Sequence, residues 1–182
     1  RQQPSFQEKI FQTLTAFVVA DKITYDVAGE TVYNCLRNAG IRTEPSFIFT
    51  DPGLYAEWTY LEQLESYLKE RDAIAVAVGV GVINDLTKLA SSHLGRRYLI
   101  VGTAASMDGY TAYGASITYH GNKQTFDCRA PIGMVMDPAI AAKAPNKITA
   151  SGYGDLIAKI PSGADWIIAD GVGCESIDKF AF

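Results

Sequence analysis

The sequence predicts an α/β fold, a parallel sheet with flanking helices and one β-hairpin, followed by the start of an α-helical segment. Three observations predict it. Short continuous apolar runs (AFVVA at 16–20, AIAVAV at 73–78, YLIVG at 98–102) suit strands buried on both faces. Segments with helical apolar spacing alternate with these runs, which implies βαβ units with right-handed crossovers. Two neighbouring strands also end in loops of small residues, Gly79-Val80-Gly81 and Thr103-Ala104-Ala105-Ser106. Small-residue loops at adjacent strand ends are how a Rossmann-like sheet holds a dinucleotide.

Taken in order, Phe6, Ile10, Phe11 and Leu14 predict a helix over 6–14. The strand at 16–20 stops at Asp21. A helix is expected from Val27 to Ala39, with Val32, Leu36 and Ala39 on one face and Gly40 as its stop. SFIFT at 46–50 is the next strand, closed by Asp51-Pro52-Gly53. Tyr55 to Arg71 reads as an amphipathic helix with Leu61, Leu64 and Leu68 inward. After strand 73–78 come a helix over 82–94 and strand 98–102. YGASITYHGNKQTF (113–126) predicts a hairpin turning at Gly121-Asn122, and 132–136 one more strand. Beyond Asp137-Pro138 the text turns helical and Ala-rich. That shift divides a nucleotide-binding unit, 1–138, from the opening of a helical unit, 139–182.

The totals bound the function. With 182 residues, 48% hydrophobic and 20% charged, the chain can bury a real core. A net charge of −4 and a pI near 5.1 exclude nucleic acid as a main partner, because phosphate binding needs a basic surface. No apolar run approaches the ~20 residues that span a bilayer. Cys35, Cys128 and Cys174 are far apart and odd in number, which predicts neither a disulfide framework nor a cysteine zinc site and fits a reducing cytoplasm.

Gly79 and Gly81 stand just before a predicted helix. Glycine lets a backbone approach a pyrophosphate, and the helix start offers free N–H groups. A plain tight turn explains two such glycines equally well, and the spacing is not G-x-G-x-x-G. The second loop, 102–109, strengthens the nucleotide reading.

The residues from GVGVINDLTK resemble the G-(G/S)-G-(S/T)-x-x-D-x-x-K signature of the iron-containing alcohol dehydrogenase and dehydroquinate synthase superfamily. TAASMDGYTAYGASI, KQTF and SGYGDLIAKIPSGADW are similar to its sn-glycerol-1-phosphate dehydrogenase branch. The resemblance runs from about Phe17 to the end. It implies NAD- or NADP-dependent interconversion of dihydroxyacetone phosphate and sn-glycerol 1-phosphate on a zinc ion. Carried over by position, it puts the pyrophosphate at Gly79 and Gly81, with Asn84 and Asp85 toward the nicotinamide. Thr103 and Ser106 match polar positions beside the cofactor, and Asp108 a carboxylate near nicotinamide and substrate. Ser116 and Lys123 match hairpin positions that complete the pocket, Lys123 helping to bind the substrate phosphate. Asp21 would accept from ribose hydroxyls. Asp155 matches the first of three metal ligands.

Two departures stand out. Val80 replaces a small residue where the pyrophosphate should approach, and Val82 replaces a Ser or Thr that could cap the helix, a loss of about 1 kcal/mol. Weakened cofactor binding is the expectation. The two histidines, His93 and His120, both precede Asp155, whereas the family's histidine ligands follow it, so a three-ligand zinc site is not expected to close. The absent initial Met and the apolar faces of 145–160 and 164–170 predict a piece of a longer enzyme. A homo-oligomer remains open.

Each residue also has a plain reading. Asp155 could cap a helix, Asp108 could sit in a turn, and Asp21 could end a strand. Lys88 and Lys123 are expected to be solvated, and His93 and His120 to lie at the surface. Trp58 and Trp166 are expected to pack, and Cys35 to face the core. Cys128, beside Arg129, is a reactive candidate. The alternatives to the dehydrogenase are an inactive nucleotide-binding or interaction module, a related polyol dehydrogenase, or a dehydroquinate synthase-like enzyme.

Overall fold

The computed structural model describes residues 15–180; the helix expected at 6–14 lies outside them. Six parallel strands form one sheet: β1 (Thr15–Asp21), β2 (Arg42–Thr43), β3 (Phe47–Phe49), β4 (Ile74–Gly79), β5 (Tyr98–Gly102) and β8 (Met134–Met136). Between β5 and β8, β6 (Ala115–Tyr119) and β7 (Asn122–Phe126) make a separate antiparallel hairpin. The sheet order is β2-β1-β4-β5-β8, with β3 also on β1. The order follows from burial: the inner strands β1 and β4 read as unbroken apolar runs and are covered on both faces.

Alternate residues of these strands feed two cores. Phe17, Val19, Ala75, Ala77 and Ile100 face α3 (Trp58–Lys69) and α4 (Gly81–His93), meeting Leu61, Leu64, Leu68, Ile83, Leu86 and Leu89. Ala16, Val18, Ala20, Val76 and Val78 face the opposite way, toward Val32, Tyr33 and Leu36 of α2 (Glu30–Asn38). The chain leaves β1 for β2 and β3 on one side and returns to β4 on the other. The ends of β1 and β4 therefore flank a topological switch point, where an open α/β sheet leaves a crevice for ligands.

Some elements differ from expectation. The helix placed at 27–39 begins earlier, as α1 (Lys22–Thr24), a π-helical turn (Tyr25–Gly29) and then α2. The Asp21 carboxylate accepts from Thr24 N at 2.7 Å in a capping box, which starts a helix directly at the strand end. Gly29 permits the wide turn, since a Cβ there would lie 2.6 Å from the Tyr25 ring. The hairpin turns one residue earlier than expected, at His120-Gly121, both with positive φ (50° and 77°), the conformation that matches strand twist. Cys35 is exposed rather than core-facing. Beyond β8 come α5 (Pro138–Ala141), α6 (Asn146–Ile157) and α7 (Lys159–Gly171), none with a buried residue. No described helix is long and apolar enough to cross a membrane.

Candidate active site

The floor of the crevice is the β4–α4 junction. Gly79 ends the strand, and Val80 stands at the helix N-cap without a side-chain cap bond, so the first N–H groups of α4 have no side-chain partner. Packing demands the first glycine and crowds the second. A Cβ on Gly79 would meet Ile83 at 2.7 Å, and one on Gly81 would meet the Met107 sulfur at 3.0 Å. Val80 and Ile23 line two cavities that meet there. One, about 260 Å³, opens over the ends of β1 and β3 and is lined by Asp21, Lys22, Thr50 and Asp51 as well as Val82. The other, about 330 Å³, runs under Thr103, Ala104, Ile140 and Ile148. Val80 therefore does stand in the middle of the crevice, as its branched side chain implied.

The second loop is locked to α4. Thr103 N donates to Gly79 O at 3.1 Å. The Tyr110 hydroxyl donates to Ala104 O at 2.7 Å, so the Ser106 hydroxyl, also 2.7 Å away, is the donor to Tyr110. Asn84 is fully buried: its amide nitrogen donates to Tyr110 O at 3.2 Å and its oxygen accepts from the Tyr98 hydroxyl at 3.0 Å. The amide thus holds the loop in place and lines neither cavity.

Lys88 overturns its expected solvation. It is only 1% exposed, and its ammonium donates to Ala112 O at 2.9 Å and Gly114 O at 3.0 Å. Asp85 lies 4.0 Å away and accepts from Ser116 N at 3.4 Å. Burial pushes the Asp85 carboxyl up to about 6 despite the ammonium of Lys88, and burial likewise lowers Lys88. Desolvation thus outweighs the attraction of the pair for both partners. Helix α4 thereby fixes the strand that carries Ser116.

At the pole near β5, residues far apart in sequence converge. Asp108 N donates to Asp155 Oδ2 at 3.0 Å, and Lys159 Nζ lies 3.1 Å from Asp108 Oδ2. The Asp108 N–H holds the Asp155 carboxyl below its ordinary value, with Lys159 and Lys123 adding to the effect. Lys123 acts on Asp85 as well, so the hairpin faces the same cluster. Gly152 allows α6 to approach, because a Cβ there would lie 2.1 Å from Ala105 O. Asp85 with Ser116, and Asp108 with Asp155, thus form two contacts that both feel the charge of Lys123, and none of these five lines either cavity. Asp21 lines the cavity over β1 and β3, Thr103 lines the other, and Val80 lines both. Sequence reading misses Met107 and Tyr110, and pairs Lys159 with Asp155 at the surface, whereas it bonds Asp108. Lys159 was visible as the residue four after Asp155, but its bond to Asp108 depends on the fold.

The histidines lie elsewhere. His93 Nδ1 is 2.6 Å from Glu65, and the His120 ring lies tilted against Tyr119. Among the described residues no three His, Cys, Asp or Glu side chains could hold a metal. Asp155 spends one oxygen on an N–H and feels two ammonium groups. Of the expected metal ligands the described residues thus hold Asp155, whose second oxygen has no hydrogen bond to a backbone N–H. Cys128, expected to be reactive, is buried, and burial pushes its thiol up to about 11.

Residues 2–145 match the family model described as iron-containing alcohol dehydrogenase. The chain belongs to that family. Within the iron-containing alcohol dehydrogenases, it is 37% identical over 155 residues to the glycerol-1-phosphate dehydrogenase [NAD(P)+] of Halalkalibacterium halodurans, covering 84% of this chain and 39% of that protein. The enzyme of the same name from Methanothrix thermoacetophila is 31% identical, with 91% and 46% covered. A probable glycerol dehydrogenase of Sinorhizobium meliloti superposes with a TM-score of 0.65 at 25% identity, covering 80% of this chain and 39% of that one. The chain thus spans between 39% and 46% of the length of these relatives.

Proposed function

We propose that this chain builds the dinucleotide site of an NAD(P)-dependent glycerol-1-phosphate dehydrogenase, which interconverts dihydroxyacetone phosphate and sn-glycerol 1-phosphate. The observation that carries this reading is the crevice at the β1–β4 switch point, floored by uncapped N–H groups, in a chain similar to enzymes of that name. The adenosine end lies over β1 and β3, where Asp21 keeps one carboxylate oxygen for a ribose hydroxyl while the other caps α1. The pyrophosphate passes Gly79, Gly81 and the first amides of α4, with Thr103 beside it. Ser106 and Asn84 shape the loop that the nicotinamide meets. Asp85, Asp108, Ser116 and Lys123 surround the reacting end, where Lys123 offers its charge to the substrate phosphate. Residues up to 138 form the dinucleotide unit, and 139–182 open the helical one. The three free cysteines support a reducing cytoplasm.

A second reading, a nucleotide-binding module without turnover, rests on Val80, whose branched side chain lines both cavities beside the glycine junction. Titration of the chain with NADH and NADPH, followed by nicotinamide fluorescence, tests the proposal. Saturable binding in the micromolar range is expected, weakened by Val80 and Val82. A nanomolar constant would refute the weakening, and no binding by a folded chain would overturn the site. An assay of dihydroxyacetone phosphate reduction, with and without added zinc, separates the enzyme from the module.

A further inference from the structure

The cavity over β1 and β3 carries a feature that the dinucleotide site does not require. Asp51, the second residue beyond β3, lines it together with Asp21 and a single cation, Lys22. The Asp51 side chain is fixed. One oxygen accepts from Gly53 N at 2.8 Å, and the other from the Tyr60 hydroxyl. Tyr60 is itself seated edge-on against Phe49 at 6.0 Å between ring centroids, and Phe49 is a buried core residue of β3. The Tyr60 hydroxyl and the Gly53 N–H both favour the ionised form of Asp51, and its carboxylate raises Tyr60 to about 12. Asp51 therefore presents a permanent negative charge and cannot swing aside without losing both bonds.

Resting on the reading of this crevice as a dinucleotide site with its adenosine end over β1 and β3, we infer that Asp51 is a specificity-determining residue that selects NAD(H) over NADP(H). The two cofactors differ by a phosphate on the adenosine 2′-oxygen. That group brings about two negative charges into a cavity lined by two carboxylates and one ammonium. A site that takes the phosphorylated form answers it with an arginine, and no arginine lines this cavity. A ribose hydroxyl carries no charge and meets no such repulsion. Specificity here comes from penalising the wrong ligand.

The test is a comparison of NADH and NADPH dissociation constants for the full chain and for Asp51→Asn and Asp51→Glu. The wild-type chain should bind NADH at least about tenfold more tightly than NADPH, a size expected for one or two like charges at partly solvated range. Asp51→Asn keeps its Oδ1 as an acceptor for Gly53 N, can donate from its NH2 to the Tyr60 hydroxyl oxygen, and removes the charge. It should tighten NADPH severalfold with NADH changed less than about twofold, and the gap should shrink as salt rises. Asp51→Glu should retain the preference. Equal wild-type affinities, or an Asp51→Asn ratio identical to wild type, would overturn the assignment to Asp51 while leaving the dinucleotide site standing. Failure of a folded chain to bind either cofactor sinks the site and this inference together.

Discussion

The β1–β4–α4 region and the α6–α7 pair are built from similarly apolar text and end in opposite states. In α4, Ile83, Leu86 and Leu89 are fully buried, and β4 shows only Ile74 partly open. In α6 and α7 no residue is buried, and Ile160 and Ile168 are 76% and 63% exposed. The difference teaches that apolar periodicity specifies which face of a helix seeks cover but not what covers it. Where the sheet supplies that cover, side chains and glycines become tightly constrained.

Leucine truncation gives the sharpest contrast. Leu64→Ala should cost about 2–5 kcal/mol in a denaturant titration, because it empties a fully buried position. Ile160→Ala should stay within about 0.5 kcal/mol, as expected for an exposed site. Equal losses would show that the C-terminal helices pack as tightly as the sheet. Glycine substitution comes next. Gly79→Ala drives a Cβ into Ile83 and should destabilise by about 1–3 kcal/mol. Gly154→Ala meets nothing within 4 Å on a helix and should be neutral or stabilising by up to about 1 kcal/mol.

The buried carboxyl of Asp85 gives a pH signature confined to the first region. Its folded pKa of about 6 lies above the ordinary carboxyl value of 3.8, so the native state holds a proton that the unfolded chain releases. Its contribution to stability is fully present below about pH 4 and is lost as pH rises through about 6, on the order of 3 kcal/mol. Asp85→Asn should flatten that slope, read from denaturation midpoints between pH 4 and 7; an unchanged slope would rule Asp85 out as its source. The smallest effect is chemical. Cys35 and Cys174 should react readily with a thiol reagent at neutral pH, and Cys128 only as the protein unfolds. Rapid labelling of all three would contradict the burial of Cys128.

The sheet and its glycine loop were legible because they rest on local pattern. Continuous apolar runs gave β1, β4 and β5, and capping and spacing gave α3 and α4 to within a few residues. The early start at Lys22 was missed because Asp21 was weighed as a strand end and a ribose partner, although the Asp21–Thr24 pair is a sequence-level cap signal. The hairpin slipped by one residue because His120 adopts positive φ, a conformation usually left to Gly or Asn.

The site was legible only in part. The identities of Asp85, Asp108, Lys123 and Asp155 could be proposed from motif text, but their company could not. That Asp155 accepts from Asp108 across 47 positions, that Lys159 sits on Asp108, and that Asp51 faces the same cavity as Asp21 all require the chain to be folded. Lys88 is the plainest case, a lone lysine expected in water and found buried under Ala112 and Gly114.

By itself the sequence determined the α/β class, five of the six strands of the sheet (all but β2) and the glycine junction, because these follow from short-range periodicity and backbone chemistry. Only the tertiary structure decided which charges meet, which helix faces are covered and which side chains lose water. Those depend on long-range contacts, and desolvation is set by everything that surrounds a group, not by its neighbours in the chain.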